Sequence, residues 1–321
     1  VLFSLIVYSY NTEKSLRRCL DSIASQDFDE FELIIVEDGS TDGSAAVCDE
    51  YAERMNKVGR KAKVQVIRQK HNGLAAARNS GAEAATGDWL WFINGSDYIV
   101  PGALGTLKER MSFAEGELYG FQFLKEKGPS EEPERVIFRD NQETVTIKNE
   151  GDLRWNYTDR IFNYRDGWEA PCRLFNRDIV AQNGLRFLDS GDVYSEDICF
   201  LAEYMMYVNK ATLFVNFLYV FGKAEGAQPA VDPETILPGL FNLLENLYNR
   251  AVKAGKKQIK KEFGMVCGSV LNNPIRDELS GLSEDAIAAE INEAVKKTGI
   301  GRHIKKAKKE LILAAKAGGT R

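Results

Sequence analysis

Along the first third of the chain, largely apolar runs alternate with stretches whose apolar residues return every third or fourth position. The runs at 2–8, 31–36, 64–67 and 89–93 show no in-out alternation, which predicts strands covered on both faces. Leu16, Leu20 and Ile23 predict a helix after the first run, with Asn11 and Thr12 as cap candidates. Val47, Tyr51, Met55 and Val58 predict a second helix, and the alanine-rich segment 73–85 a third, closed by Gly87. Strands that each lead into a helix predict a parallel sheet with helices on both sides.

The pattern changes after Pro101, a good first helical residue. Leu104, Leu107 and Met111 predict a helix, 118–124 a strand, 125–133 a polar loop, and 136–138 and 144–147 short strands. The segment 155–168 is aromatic and polar together, a composition suited to a ligand wall, with Trp155, Tyr164 and Trp168 as candidate sugar platforms. A helix is predicted at 198–207 and a strand at 212–221. From about Pro233 every pattern is helical: Leu237, Leu240, Leu244, Leu247 and Tyr248 share a face, and further helices are predicted at 257–271, 284–297 and 301–317. The chain therefore reads as α/β, a mostly parallel sheet with flanking helices and a helical C-terminal region, with divisions at 1–115, 116–225 and 226–321.

Composition narrows the function classes. A net charge of −5 over 321 residues argues against nucleic acid as a partner. The five cysteines lie far apart with no C-x-x-C pair, which argues against zinc ribbons and redox motifs and suits buried thiols in a cytosolic chain. No secretory signal is expected, and no apolar run reaches the roughly 18–20 residues a bilayer span needs. The basic stretches 253–261 and 302–309 read as solvated helix faces or as contacts with an anionic membrane surface or lipid-phosphate acceptor. His71 and His303 are distant from each other and read as structural or solvated.

The candidate chemistry sits where predicted strands end, the ligand side of a parallel sheet. These ends are Tyr8-Ser9-Tyr10-Asn11, Glu37-Asp38-Gly39-Ser40 and Asn94-Gly95-Ser96-Asp97. Asp38 can accept from a nucleobase N–H, Tyr10 can stack on a base or sugar, and Arg78 can reach a phosphate. Asp97 is the one carboxylate of its segment and could hold a divalent cation. Neither G-x-G-x-x-G nor a P-loop motif is present.

Five motifs together resemble family 2 glycosyltransferases of the GT-A fold. They are Ser4-Leu5-Ile6-Val7-Tyr8-Ser9-Tyr10-Asn11, Val36-Glu37-Asp38-Gly39-Ser40-Thr41-Asp42, Gly73-Leu74-Ala75-Ala76-Ala77-Arg78-Asn79-Ser80-Gly81, Phe92-Ile93-Asn94-Gly95-Ser96-Asp97-Tyr98 and Ser195-Glu196-Asp197. The resemblance covers about residues 1–225 and implies a nucleotide-sugar half at 1–115 and an acceptor-side half at 116–225. It implies an inverting transfer from a UDP-sugar to a glycan or lipid-linked acceptor in polysaccharide synthesis, in a cytoplasmic protein that could sit at the inner face of the membrane. By position, Asp38 would bind uracil, Ser9, Tyr10, Asn11 and Gly39 would complete the base pocket, and Arg78 would lie near the base or diphosphate. Asn94 and Ser96 would line the donor site, Asp97 would hold Mn²⁺ or Mg²⁺, Asp197 would be the general base and Glu196 would orient it. The chain departs from the family where Tyr8 replaces a proline, Glu37 an Asp or Asn, and Asn94 and Ser96 aspartates. Gly222-Lys223 and Gly226-Ala227 lie where an arginine and a serine are frequent. The thinned acidic cluster also admits a non-catalytic homologue that only binds the nucleotide sugar.

Overall fold

The computed structural model describes residues 3–57, 62–128, 131–161, 167–189, 195–223, 233–272 and 284–305. The four apolar runs of the first third become β1 (Phe3–Ser9), β2 (Phe31–Glu37), β3 (Lys63–Arg68) and β4 (Trp89–Asn94). They are joined through α1 (Glu13–Ala24), α2 (Ser44–Lys57) and α3 (Gly73–Ala84). All three strand pairings among them are parallel, in the order β3-β2-β1-β4.

The period of two along these strands sorts side chains to two faces. Leu5, Val7, Leu33, Ile35, Trp91 and Ile93 join the core with Leu16, Leu20 and Ile23 of α1 and Val47, Tyr51 and Met55 of α2. Ile6 and Val36 face α3, where a Cβ on Gly81 would stand 2.2 Å from the Ile6 Cγ2 methyl. Glycine thus lets α3 lie close on the sheet, and β1, β2 and β4 are covered on both faces as the unalternating runs predict, whereas β3, at the end of the strand order, has no buried residue.

Beyond β4 the sheet becomes mixed. β5 (Tyr98–Ile99), α4 (Ala103–Ser112), β6 (Leu118–Lys125), β7 (Glu134–Val136) and β8 (Glu143–Thr146) follow in sequence. Later segments add β9 (Arg173–Asn176), α6 (Arg177–Gln182) and β10 (Lys210–Phe221). β9 is antiparallel to both β4 and β6, which it joins, and β10 runs parallel to β6. β9, β5 and α6 are not predicted by the sequence pattern, because each is too short for a period to register.

Two compact units emerge. One gathers Val1–Thr146, Glu169–Phe187 and Val208–Gln228 around the sheet. The other gathers Ile147–Trp168, Leu188–Tyr207 and Pro229–Arg321. The second unit is helical among its described residues. It contains α5 (Glu150–Trp155), which runs on into a π-helical turn at Asn156–Ile161, and α7 (Glu196–Tyr204). α8 (Pro233–Lys253), α9 (Lys257–Asn272) and α10 (Glu284–Lys297) complete it, with a helical turn at 301–305. Its core includes Leu237, Leu240, Leu244, Leu247, Ile259, Phe263 and Ile304. His303 is buried there between Tyr248 and Phe263, a structural setting. All five cysteines are buried and none is in a disulfide, as their spacing predicts.

Candidate functional site

Three segments converge beyond the carboxyl ends of β1, β2 and β4. The tip of β1 is locked to the loop after β2. Asn11 takes a φ of 51°, a left-handed conformation that Asn tolerates better than most residues. Its Oδ1 accepts from Thr41 N at 2.8 Å, its own N–H donates to Ser40 Oγ at 3.1 Å, and Ser9 O accepts from Asp38 N at 2.9 Å. Ser9 itself is buried, its hydroxyl 3.0 Å from that of Thr12.

Asp38 is 0% exposed. Its Oδ1 accepts from Gln69 Nε2 at 2.6 Å and Asn72 N at 3.0 Å, and its Oδ2 from Gly73 N at 3.0 Å. The same Oδ2 lies 2.8 Å from His71 Nδ1. An ionised carboxylate can only accept, so that ring nitrogen carries the proton. Gln69 is oriented in turn by Ser80, whose hydroxyl donates to Gln69 Oε1 at 2.8 Å. Asp38 thereby folds the turn 69–73 across the end of β2. Gly39, with a φ of 72°, makes room for it, since a Cβ there would stand 2.6 Å from His71 N.

The turn delivers His71 to the surface. Its ring stacks on Tyr10 with centroids 3.7 Å apart and planes within 13°. The sequence offers His71 only as a lone histidine; its stacking on Tyr10 and its bond to Asp38 are tertiary facts. Tyr8 belongs to the same cluster. Burial, then the charges of Asp38 and Tyr10, push its phenol up to about 12, with Arg78 pulling the other way.

Arg78 is buried on α3. Its Nη2 donates to Asn94 Oδ1 at 3.4 Å, and its guanidinium lies 4.9 Å from the centre of the Phe187 ring. Asn79 holds Phe187 by a reciprocal pair, Nδ2 donating to Phe187 O and Oδ1 accepting from Phe187 N, each at 2.9 Å. The Ala-Arg-Asn run is therefore a two-part device: Asn79 fixes the apolar plate and Arg78 lies over it.

At the end of β4, Asp97 is 3% exposed. Its Oδ2 accepts from Tyr219 OH at 2.6 Å and Asn94 Nδ2 at 2.9 Å. Its Oδ1 accepts from Gly222 N at 2.9 Å and Ser96 Oγ at 3.2 Å. Burial holds its carboxyl above the ordinary carboxylate range, and those four donors draw it partly back. Gly222 is required for the contact, because a Cβ there would fall 2.0 Å from Ser96 O.

The resemblance implies a divalent cation on Asp97, and the residues do not fit one. All four positions at which its two oxygens accept are taken by protein donors, Asn94 Nδ2 and Ser96 Oγ among them. Among the described residues no three of His, Cys, Asp and Glu converge to hold a metal ion.

The remaining candidates lie in the other unit. Ser195 caps α7, its Oγ accepting from Ile198 N at 3.3 Å. Glu196 and Asp197 form the first turn of that helix, half-buried, where negative charge is favoured. Trp155 is exposed with Arg160 5.1 Å from its ring centre, and Trp168 is half-buried. Tyr164, Gly226, Ala227 and residues 306–309 lie outside the described residues.

The sequence model of glycosyl transferase family 2 matches residues 4–180. The chain belongs to that family. Among its relatives in the family is the uncharacterised glycosyltransferase EpsJ of Bacillus subtilis, 32% identical over 187 residues, covering 56% of this chain and 52% of EpsJ. Glycosyltransferase GlyA of Streptococcus pneumoniae is 26% identical over 98% of this chain and 44% of its own length. The chain thus spans about half the length, or less, of these curated relatives. This family member shares its fold with residues 1–349 of Staphylococcus aureus TarS, solved with UDP-GlcNAc. That match has a TM-score of 0.71 at 19% identity and covers 99% of this chain and 91% of that one.

Proposed function

We propose that this protein transfers a sugar from a UDP-sugar to a glycan or lipid-linked acceptor, with inversion at the anomeric carbon, in polysaccharide synthesis. The observation that carries the reading is the cluster of Tyr8, Tyr10, His71, Arg78 and Asn94 beyond the ends of β1 and β4, organised by the buried Asp38. A base has an aromatic face in Tyr10 and His71, and a diphosphate has a cation in Arg78. Ser9, Asn11 and Gly39 hold the loops that shape this end, while Asn94 and Ser96 line its β4 side. Family membership supports the activity, and TarS, captured with UDP-GlcNAc, supports a UDP-sugar as donor.

In the proposed reaction Asp197 takes the proton of the acceptor hydroxyl as its oxygen attacks the anomeric carbon. The bond from that carbon to the diphosphate breaks on the opposite face, and UDP leaves with the electron pair. Glu196 orients Asp197 or the acceptor. Residues 1–115 would serve the donor, 116–225 the acceptor, and 226–321 an anionic surface. The last role is supported by a hollow of about 440 Å³ lined by Lys257, Lys260, Lys261, Arg302 and His303. Among the described residues no helix is long and apolar enough to cross a membrane, and contact with the inner face of a membrane is read as peripheral. TarS is named a poly(ribitol-phosphate) β-N-acetylglucosaminyltransferase, which accords with an anionic acceptor.

Calorimetric titration with UDP tests the donor assignment: saturable binding is expected, and its absence with and without Mn²⁺ would remove it. Asp197→Asn is expected to lower transfer by about 10²–10⁴-fold, the range of general-base catalysis, while UDP affinity stays within about twofold. The saturated Asp97 favours a second reading, a homologue that binds the nucleotide sugar without transferring it. Slow UDP-sugar hydrolysis, abolished by Asp197→Asn, would eliminate that alternative.

A further inference from the structure

The end of β4 has the outline of a cation site and the bonding of something else. Asp97 brings one buried negative charge, and four donors surround it: Tyr219 OH, Asn94 Nδ2, Gly222 N and Ser96 Oγ, at 2.6, 2.9, 2.9 and 3.2 Å. Such a carboxylate needs neither a cation nor water to satisfy it, because charge-assisted hydrogen bonds already do so. Asn94 is polarised in one sense, Oδ1 accepting from Arg78 and Nδ2 donating to Asp97. An aspartate at 94 could still accept from Arg78 but could no longer donate to Asp97. An aspartate at 96 would likewise set a second carboxylate where a donor stands. Two such carboxylates would repel Asp97 unless a cation bound between them.

We propose that Asn94 and Ser96 replace a divalent cation with hydrogen bonds, so that Asp97 is a clamp joining the ends of β4 and β10 and the donor nucleotide binds without metal. This rests on the UDP-sugar reading above. The clamp spans long stretches of chain: Tyr219 and Gly222 lie 122 and 125 residues beyond the residues they serve. It leaves Arg78, fixed by Asn94 and Phe187, as the cation that meets the diphosphate. Asp97 here is a positioning residue, acting through Asn94.

Two measurements decide it. The first is thermal unfolding of the whole protein with Mn²⁺ alone. The wild type and Ser96→Ala are expected to show no shift. Ser96→Asp, alone or with Asn94→Asp, is expected to unfold at lower temperature in EDTA and to regain stability with Mn²⁺, since a ligand that binds only the folded state raises its stability. A Mn²⁺-induced rise in the wild type that disappears in Asp97→Asn would overturn the clamp.

The second is UDP titration of the wild type in EDTA and in Mn²⁺. The two dissociation constants are expected to agree within about twofold, whereas tightening by tenfold or more, about 1.4 kcal/mol, would overturn the proposal. If UDP binds in neither buffer, the donor reading fails, and the metal-only unfolding still decides whether Asp97 is a clamp. If the aspartate variants do not fold, the two wild-type measurements suffice.

Discussion

The ends of β2 and β4 flank the same strand and carry the same kind of residue, a buried aspartate that accepts four hydrogen bonds. They use it differently. Three of the four groups that serve Asp38 come from the turn 71–73 and the fourth from Gln69 just before it, so the bonds fold a turn and carry the His71 ring to Tyr10. His71 remains 47% exposed, so the end of β2 keeps a surface that can meet a ligand. Two of Asp97's donors come from the end of β10, 122 and 125 residues further along the chain, and its bonds close a seam between strands. What differs is what each one holds in place.

The comparison can be broken at its strongest point first. Asp97→Ala leaves Tyr219 OH and the Gly222 N–H buried without an acceptor, and should cost about 2–6 kcal/mol of stability, at about 1–3 kcal/mol for each donor left unsatisfied. Chemical denaturation reads this directly, and a loss below about 1 kcal/mol would mean the seam is closed by something else. Asp38→Ala should cost a comparable amount and also release His71, so it should weaken UDP binding in proportion to the loss of stacking.

Tyr219→Phe keeps the ring but removes the bond its hydroxyl donates to Asp97 and the one it accepts from Asn94 N at 3.1 Å, so about 1.5–3 kcal/mol of stability should go. UDP affinity should hardly move, and a large fall in affinity would place the seam within the donor site. Tyr10→Ala should behave in the opposite way. Losing a stacking platform for a base costs about 1–3 kcal/mol of binding, while the half-buried ring contributes little to stability. Calorimetry on UDP separates the two variants.

The smallest effect is a pH dependence at Glu32, near the other end of β2. Burial raises its pKa, but bonds from Ser4, Thr86 and Gly87 together outweigh that and hold it below the ordinary carboxylate range. A depressed folded pKa contributes stability above the unfolded value of about 4.3 and loses it as pH falls through the folded value. Glu32→Gln should therefore lower stability at neutral pH by about 1 kcal/mol and flatten the acid limb of a plot of stability against pH, leaving stability below the folded value little changed. An acid limb with unchanged slope would contradict the bonding at Glu32.

Much of the architecture is legible in the chain. The unalternating runs of β1, β2 and β4 can be buried only in a sheet covered on both sides, and Gly81 marks where α3 lies close. β9 escapes the pattern because four residues beginning with Arg173 carry no period. The π-helical turn at 156–161 escapes it for the same reason. Of the candidate site, Tyr10, Arg78 and Asn94 are visible as residue types at strand and helix ends. His71 is not, since a lone histidine in a polar loop has no signature until Asp38 and Tyr10 are seen to grip it.

What the sequence determined by itself was the order of strands and helices in the first third, the parallel sheet and the family, because periodicity and local motifs are properties of neighbouring residues. What only the tertiary structure decided was the state of the two aspartates. Asp97 accepts from donors 122 and 125 residues away along the chain. No local pattern records that distance, because a hydrogen bond is set by where strands meet in space and by which lone pairs remain once they do.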